Sequence, residues 1–226
     1  MLFRSKSKRG LRRAQSPAHS SLESLLQFHA QSRSPLSFFQ AQVDHIIKRS
    51  TDDYSIPLLI ALITSWLGDV LLIPKGHKWF TMGGISFMVS HFFFIFAYVG
   101  RIDFSKIPWF IVIPIALIYY GISLKIIFMV KDNTPKIMIP PMYFYLLCNS
   151  TMNVFALMQF MSNPNIGSFI ALVGAILFFV SDCTLFLVRY SKKPEMIYKK
   201  HFTVMFTYIV GEFLITLGIL LLAKGG

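Results

Sequence analysis

Six long apolar segments, separated by short polar loops, constrain this chain of 226 residues more than any other feature. A helix needs about 17–25 predominantly apolar residues to cross a bilayer, and only regular structure satisfies its own backbone there. Short loops make consecutive helices antiparallel. The sequence therefore predicts an all-α membrane protein with about six transmembrane helices in one bundle, near residues 55–73, 80–100, 107–130, 137–161, 166–189 and 202–223.

The first 50 residues differ in composition from the rest of the chain. A basic cluster between Arg4 and Arg13 lies in a serine-rich, aromatic-poor stretch, which predicts a polar, largely disordered arm. Within that arm, apolar residues recur at helical spacing over residues 36–48, the pattern of an interfacial amphipathic helix. The predicted organisation is a basic arm, residues 1–50, followed by a polytopic membrane domain, residues 51–226.

The composition points to lipid rather than nucleic acid as the partner. The chain is 54% hydrophobic, and its net charge of +12 is concentrated in the arm and the loops. Such a distribution suits anionic headgroups, and the basic–aromatic interleaving of a nucleic-acid interface is absent. Cys148 and Cys183 both lie in apolar segments, so we expect two buried thiols and no disulfide framework.

Two aspartates lie inside apolar segments. A carboxylate near the bilayer centre costs at least about 2.5–3.5 kcal/mol, so intramembrane ionisable groups usually serve a function. The first and fifth segments run in the same direction, with Asp69 about four and Asp182 about seven residues before their ends; at 1.5 Å per residue, the two depths differ by about 5 Å. The two carboxyl groups therefore approach the same leaflet and can meet if their helices are neighbours.

Other polar residues enter the membrane from the same side. His91 lies on the second segment, and Glu212 lies on the sixth with Tyr208 one turn before it. Tyr145 and Asn149 begin a stripe along one face of the fourth segment. All of them could line one polar cavity. The alternative is structural: asparagines join helices by hydrogen bonds, His91 is a satisfied interhelical donor, and Glu212 pairs with the histidine or the tyrosine.

Glycine and proline positions bear on how these helices pack. Gly84 shares a face with the histidine seven residues later, and a small residue there is expected to let a neighbouring helix approach closely. Pro108, Pro114, Pro140 and Pro141 are candidate helix breakers. Broken helices form the binding sites of many transporters, so these prolines keep a transport function open.

Three stretches resemble segments of a known family. Residues 65–72, SWLGDVLL, resemble a Gly-Asp-x-Leu-Leu segment, and residues 83–91 resemble the following helix with its glycine and histidine. Residues 174–182, GAILFFVSD, are similar to the most specific segment, Gly-Ala-x-Leu-Phe-x-x-Ser-Asp. Together with residues 207–212, which resemble the last helix, they identify a resemblance to the YhhN, or lysoplasmalogenase, family of multi-pass membrane proteins over about residues 51–223.

The resemblance implies a hydrolase that cleaves the vinyl ether of lysoplasmalogens to a fatty aldehyde and a glycerophospho-base, without a metal or other cofactor. It implies Asp69 and Asp182 as the catalytic acid/base pair. The family normally has eight spans, and the two expected before Asp69 are replaced here by the polar arm. A second departure is Glu212, which stands where a glutamine is more common in the family. The side chains expected to bind substrate or support the pair are His91, Tyr208, Glu212, Tyr145 and Asn149.

Three alternative functions are consistent with parts of the same pattern. Because two spans are replaced, one alternative is a catalytically reduced, lipid-binding member of the family. Buried Asp, Glu and His side chains are also typical of proton-coupled transporters, although no internal repeat is evident. An intramembrane aspartyl protease would need Gly-x-Gly-Asp and Tyr-Asp, and Trp66 and Ser181 stand at the discriminating positions.

Overall fold

The computed structural model describes residues 55–74, 76–192 and 200–224. Of these residues 90% are helical and none forms a strand, which confirms the predicted all-α class. The α-helices of the described ranges begin and end within three residues of the predicted segments. The predicted arm, with its helix at residues 36–48, lies outside the described residues. The helices are α1 (Ser55–Leu72), α2 (His77–Val99), α3 (Trp109–Val130), α4 (Ile139–Ser162), α5 (Ile166–Tyr190) and α6 (Lys200–Lys224).

Four helical stretches in the described ranges are long and apolar enough to cross a membrane: His77–Val99, Trp109–Asn133, Ile166–Tyr190 and Phe202–Ala223. Helix α1 adds a shorter apolar stretch, Ile56–Leu72, close to the lower limit of about 17 residues for a span. Helix α4 is more polar because its buried face carries asparagine, serine and glutamine side chains.

Helix α4 lies at the centre of the packing scheme. Helices α2, α3 and α5 all pack against α4, while α1 packs on α2, α6 packs on α5, and α3 also contacts α5. From residue 148 to residue 162, none of the α4 side chains is exposed. The polar residues of α4 therefore face other helices, and Asn149 and Ser150 bond to side chains of α5 and α3 there.

Helices α5 and α6 approach each other backbone to backbone along a row of small residues. A Cβ atom added at Gly174 would lie 2.5 Å from the backbone nitrogen of Ile215. A Cβ atom added at Gly218 would lie 2.5 Å from the backbone nitrogen of Ala171. Small residues are the usual means of close helix contact in a membrane, where apolar burial provides no driving force. This contact fixes the relative heights of the functional side chains on the two helices.

Helices α1 and α2 are joined by hydroxyl groups and a close glycine contact. The hydroxyl of Ser90 donates a hydrogen bond of 2.8 Å to the carbonyl oxygen of Ala61. A Cβ atom at Gly83 would lie 2.9 Å from the side chain of Leu72, whereas one at Gly84 would meet nothing within 4 Å. The prediction that Gly84 allows close approach is therefore wrong, because α2 is rotated so that Gly83 meets α1 and Gly84 faces open space.

The candidate helix breakers do not interrupt any helix in the described ranges. Pro108 precedes α3, and Pro140 and Pro141 lie in the first turn of α4, where the missing amide hydrogen has no helical partner to lose. Pro114 lies inside α3, which nevertheless continues to Val130. The described helices thus lack the proline-broken segments that would favour a transporter.

A capping box fixes the start of α5. The side chain of Asn165 accepts a hydrogen bond of 2.9 Å from the amide of Ser168, whose hydroxyl accepts one of 3.1 Å from the amide of Asn165. We expect Asn165→Ala to lower the free energy of unfolding by about 1 kcal/mol, measured by thermal unfolding in detergent. Asn163→Ala is the control, since Asn163 contacts Ser168 through its backbone carbonyl. Equal losses in both variants would contradict the capping role.

Candidate functional site

Two polar clusters, one buried and one partly buried, lie among the helices, and together they contain every side chain predicted for the site. The Asp182 cluster consists of His91, Tyr145, Asn149 and Asp182. The Asp69 cluster consists of Ser65, Asp69, Tyr208 and Glu212. Neither cluster has a metal-binding composition: no group of three or more His, Cys, Asp or Glu in the described part of the chain could hold a metal ion.

The Asp182 cluster joins three helices. Oδ2 of Asp182, on α5, accepts hydrogen bonds from the Tyr145 hydroxyl at 2.7 Å and the Asn149 amide at 2.6 Å, both on α4. The Nε2 atom of His91, on α2, lies 3.5 Å from the same oxygen. The amide of Asn153 donates to Oδ1 of Asn149 at 3.0 Å, which orients the Asn149 amide nitrogen toward the carboxylate. The predicted asparagine stripe therefore both links helices and binds Asp182.

The Asp69 cluster joins α1 to α6. The hydroxyl of Tyr208 donates to Oδ2 of Asp69 at 2.9 Å, and Oγ of Ser65 lies 3.0 Å from that hydroxyl. Because the tyrosine donates its one proton to Asp69, Ser65 is the donor in the second bond. Sequence reasoning missed Ser65, although it lies one turn before Asp69 on the same face of α1.

Glu212 belongs to the Asp69 cluster and not to the Asp182 cluster, which contains His91. It is buried, with 7% of its surface exposed, and lies beside Ser65 and Tyr208 and within electrostatic range of Asp69. Its Oε1 atom has no hydrogen-bond partner in the described part of the chain. Of the two predicted partners, Tyr208 is the one found beside Glu212.

The side chain of Phe178 separates the two clusters. Its ring centre lies 5.2 Å from that of His91 and 5.3 Å from that of Tyr208, both in edge-to-face geometry. Helices α1 and α5 are not among the pairs that pack along their lengths. No hydrogen bond of the described residues joins Asp69 to Asp182. Asp69 and Asp182 are thus held in separate clusters, and the ring of Phe178 contacts a member of each.

An apolar cavity of about 370 Å³ adjoins both clusters. Tyr145, whose hydroxyl binds Asp182, forms part of its wall. Phe87 forms another part, and its ring centre lies 5.6 Å from that of Tyr208, the partner of Asp69. Asp182 is therefore bonded to a wall residue, whereas Asp69 lies one residue further away, behind Tyr208. The cavity volume is within the usual range of ligand pockets, about 300–1,000 Å³.

The cavity also reaches the outer surface of the bundle. Two of its lining side chains, Ile85 on α2 and Phe144 on α4, are 50% and 63% exposed. Gly84 lines the same cavity, which explains the open space at its Cβ position. In a membrane, this opening between α2 and α4 would face hydrocarbon chains, so an apolar ligand can enter from the side.

The described helices and their carboxyl clusters define a polytopic membrane protein with a polar site inside an apolar bundle. The sequence pattern of the YhhN family matches residues 35–219. Since the match covers most of the chain, the protein belongs to the YhhN family, which confirms the resemblance found in its motifs. No curated protein and no solved structure matches this chain.

Proposed function

We propose that this protein is a lysoplasmalogenase, a membrane hydrolase that converts a lysoplasmalogen to a fatty aldehyde and a glycerophospho-base. One observation carries the proposal: two carboxyl groups, each held by a tyrosine hydroxyl, lie in clusters that adjoin an apolar cavity. Membership of the YhhN family is consistent with this activity. The enzyme would act in the plasma membrane of a bacterium or the endoplasmic reticulum of a eukaryote.

In the proposed mechanism, hydrolysis of the vinyl ether uses one protonated carboxyl group and one ionised carboxylate. The slow step is protonation of carbon, which leaves an oxocarbenium ion on the adjacent carbon and the ether oxygen. A protonated carboxyl group supplies the proton, and a carboxylate stabilises the cation and orients water, as paired carboxyl groups do in glycosidases. Water adds to the cationic carbon and returns a proton, and the hemiacetal separates into the aldehyde and a glycerol hydroxyl.

The hydrogen bonds favour one assignment of these roles. Asp182 accepts two hydrogen bonds on a single oxygen and faces His91, and charge-assisted bonds of this kind stabilise a carboxylate. Asp69 accepts one hydrogen bond, on Oδ2, and its other oxygen has no hydrogen bond among the described residues. We therefore assign Asp69 as the proton donor and Asp182 as the carboxylate, with Glu212 supporting Asp69.

The test is aldehyde release by the purified protein from lysoplasmenyl-ethanolamine in detergent. We expect equal amounts of aldehyde and glycerophosphoethanolamine. The ester analogue lysophosphatidylethanolamine is the control substrate and should yield no aldehyde, because it has no vinyl ether. Detergent removes any proton gradient, so turnover there would exclude a transport mechanism. A folded protein that binds the lipid without releasing aldehyde would overturn the proposal in favour of a lipid-binding function.

A further inference from the structure

Arg189 is held at the rim of the apolar cavity by two aromatic side chains of its wall. Its guanidinium carbon lies 3.9 Å from the centre of the Phe80 ring and 5.7 Å from that of Tyr190. Its Nε donates a hydrogen bond of 3.2 Å to the Tyr190 hydroxyl. Both aromatic residues line the cavity, while Arg189 itself is exposed. A guanidinium held in this way keeps its two terminal nitrogens in a defined direction.

The cavity connects this rim to the Asp182 cluster. Arg189 lies in the last turn of α5, seven residues after Asp182, which corresponds to about 10 Å along the helix. Tyr145, whose hydroxyl reaches Asp182, lines the same cavity. In a bilayer, the end of a spanning helix lies near the headgroups, whereas the carboxyl cluster lies within the hydrocarbon layer. The cavity therefore offers a cation at headgroup level and an apolar path to the carboxyl cluster.

We propose that Arg189 binds the phosphate of a single-chain phospholipid whose hydrocarbon chain occupies this cavity. The planar guanidinium presents parallel N–H donors that match two phosphate oxygens. A volume of about 370 Å³, near the lower end of the range for ligand pockets, suits one chain rather than two. The inference rests on the proposed function for the substrate class, and it adds the residue that selects a phosphorylated headgroup.

Lys192 provides a matched control for the charge at this rim. Its ammonium group is solvent-exposed and lies 4.0 Å from Oδ2 of Asp132. Arg189, three residues earlier, contacts aromatic rings and a hydroxyl group instead. Removal of either side chain takes one positive charge from the same end of α5, but only one of them lies over the cavity wall.

The experiment measures binding of lysophosphatidylcholine and of monoacylglycerol with the same chain to the purified full-length protein. Both are esters without a vinyl ether, so binding is tested separately from hydrolysis. We expect Arg189→Gln to weaken lysophosphatidylcholine binding about tenfold, the usual value of a charge-assisted hydrogen bond, and to leave monoacylglycerol binding unchanged. Arg189→Lys should restore part of the loss, and Lys192→Gln should bind as the unaltered protein does. Unchanged lysophosphatidylcholine binding by Arg189→Gln would overturn the inference.

Two further experiments test where the hydrocarbon chain of the lipid binds and whether the phosphate must belong to a lipid. Gly84→Leu should weaken binding of both lipids without loss of thermal stability, because its Cβ meets nothing within 4 Å and its side chain would fill the cavity. Glycerophosphocholine, which has no chain, should compete poorly. Equal competition by it would mean a site for soluble phosphate esters and would overturn the assignment. A failure to release aldehyde from lysoplasmalogen would leave all these binding results intact and count only against the proposed hydrolase.

Discussion

Asp182→Asn should lower aldehyde release at least about 100-fold while the protein stays folded. Positioned acid–base groups contribute about 10²–10⁴-fold to rate, and asparagine keeps the shape of the side chain without the charge that stabilises the cation. Its amide oxygen can still accept the hydrogen bonds of Tyr145 and Asn149. Asp69→Asn should cause a loss of similar size, because the amide has no acidic proton to donate. The measurement is the rate of aldehyde formation per amount of folded protein. Thermal unfolding of each variant checks that it is folded.

Asp103→Asn is the control for this pair. Asp103 lies in the loop between α2 and α3, where hydrogen bonds from Ser105 and Lys106 lower its pKa to about 2. The exchange therefore also removes one negative charge, and asparagine still suits the cap position. Aldehyde release should be unchanged. Full activity in Asp69→Asn or in Asp182→Asn would exclude the two-carboxyl mechanism.

The largest effect on stability is expected from Gly174→Ala. The added methyl group would lie 2.5 Å from the backbone nitrogen of Ile215 and 2.6 Å from the carbonyl oxygen of Gly211, so α5 and α6 must separate. Overpacking usually costs about 1–3 kcal/mol, and we expect a loss of about 3 kcal/mol because backbone atoms cannot rotate away. Separation would also move Tyr208 away from Phe178, so aldehyde release should fall as well.

Gly84→Ala makes the same chemical change where the structure has room. Its Cβ atom meets nothing within 4 Å, and alanine is the better helix former by about 1 kcal/mol. Thermal unfolding in detergent should show a stable Gly84→Ala protein and a strongly destabilised Gly174→Ala protein. Equal stability of the two variants would show that α5 and α6 are not in the backbone contact described.

Much of the site could be predicted because ionisable groups are costly in apolar segments. Asp69, Asp182, His91 and Glu212 stand out in the sequence for this reason, and the structure brings each into one of the two polar clusters. Ser65 could not be singled out, since a serine in a membrane helix commonly bonds to its own backbone. Arg189 was also missed, because a cation at the end of an apolar segment is ordinary in sequence.

The sequence alone determined the number, length and order of the described helices and the family, because apolar length and short loops are local properties. Tertiary structure decided which carboxyl group meets which tyrosine, that Phe178 lies between the clusters, and that Gly83 rather than Gly84 meets α1. The physical reason is that lipid-facing and protein-facing sides of a membrane helix are both apolar, so the pattern does not reveal the helix rotation. That rotation is set by close contacts such as the Gly174–Ile215 packing, which form only when the bundle assembles.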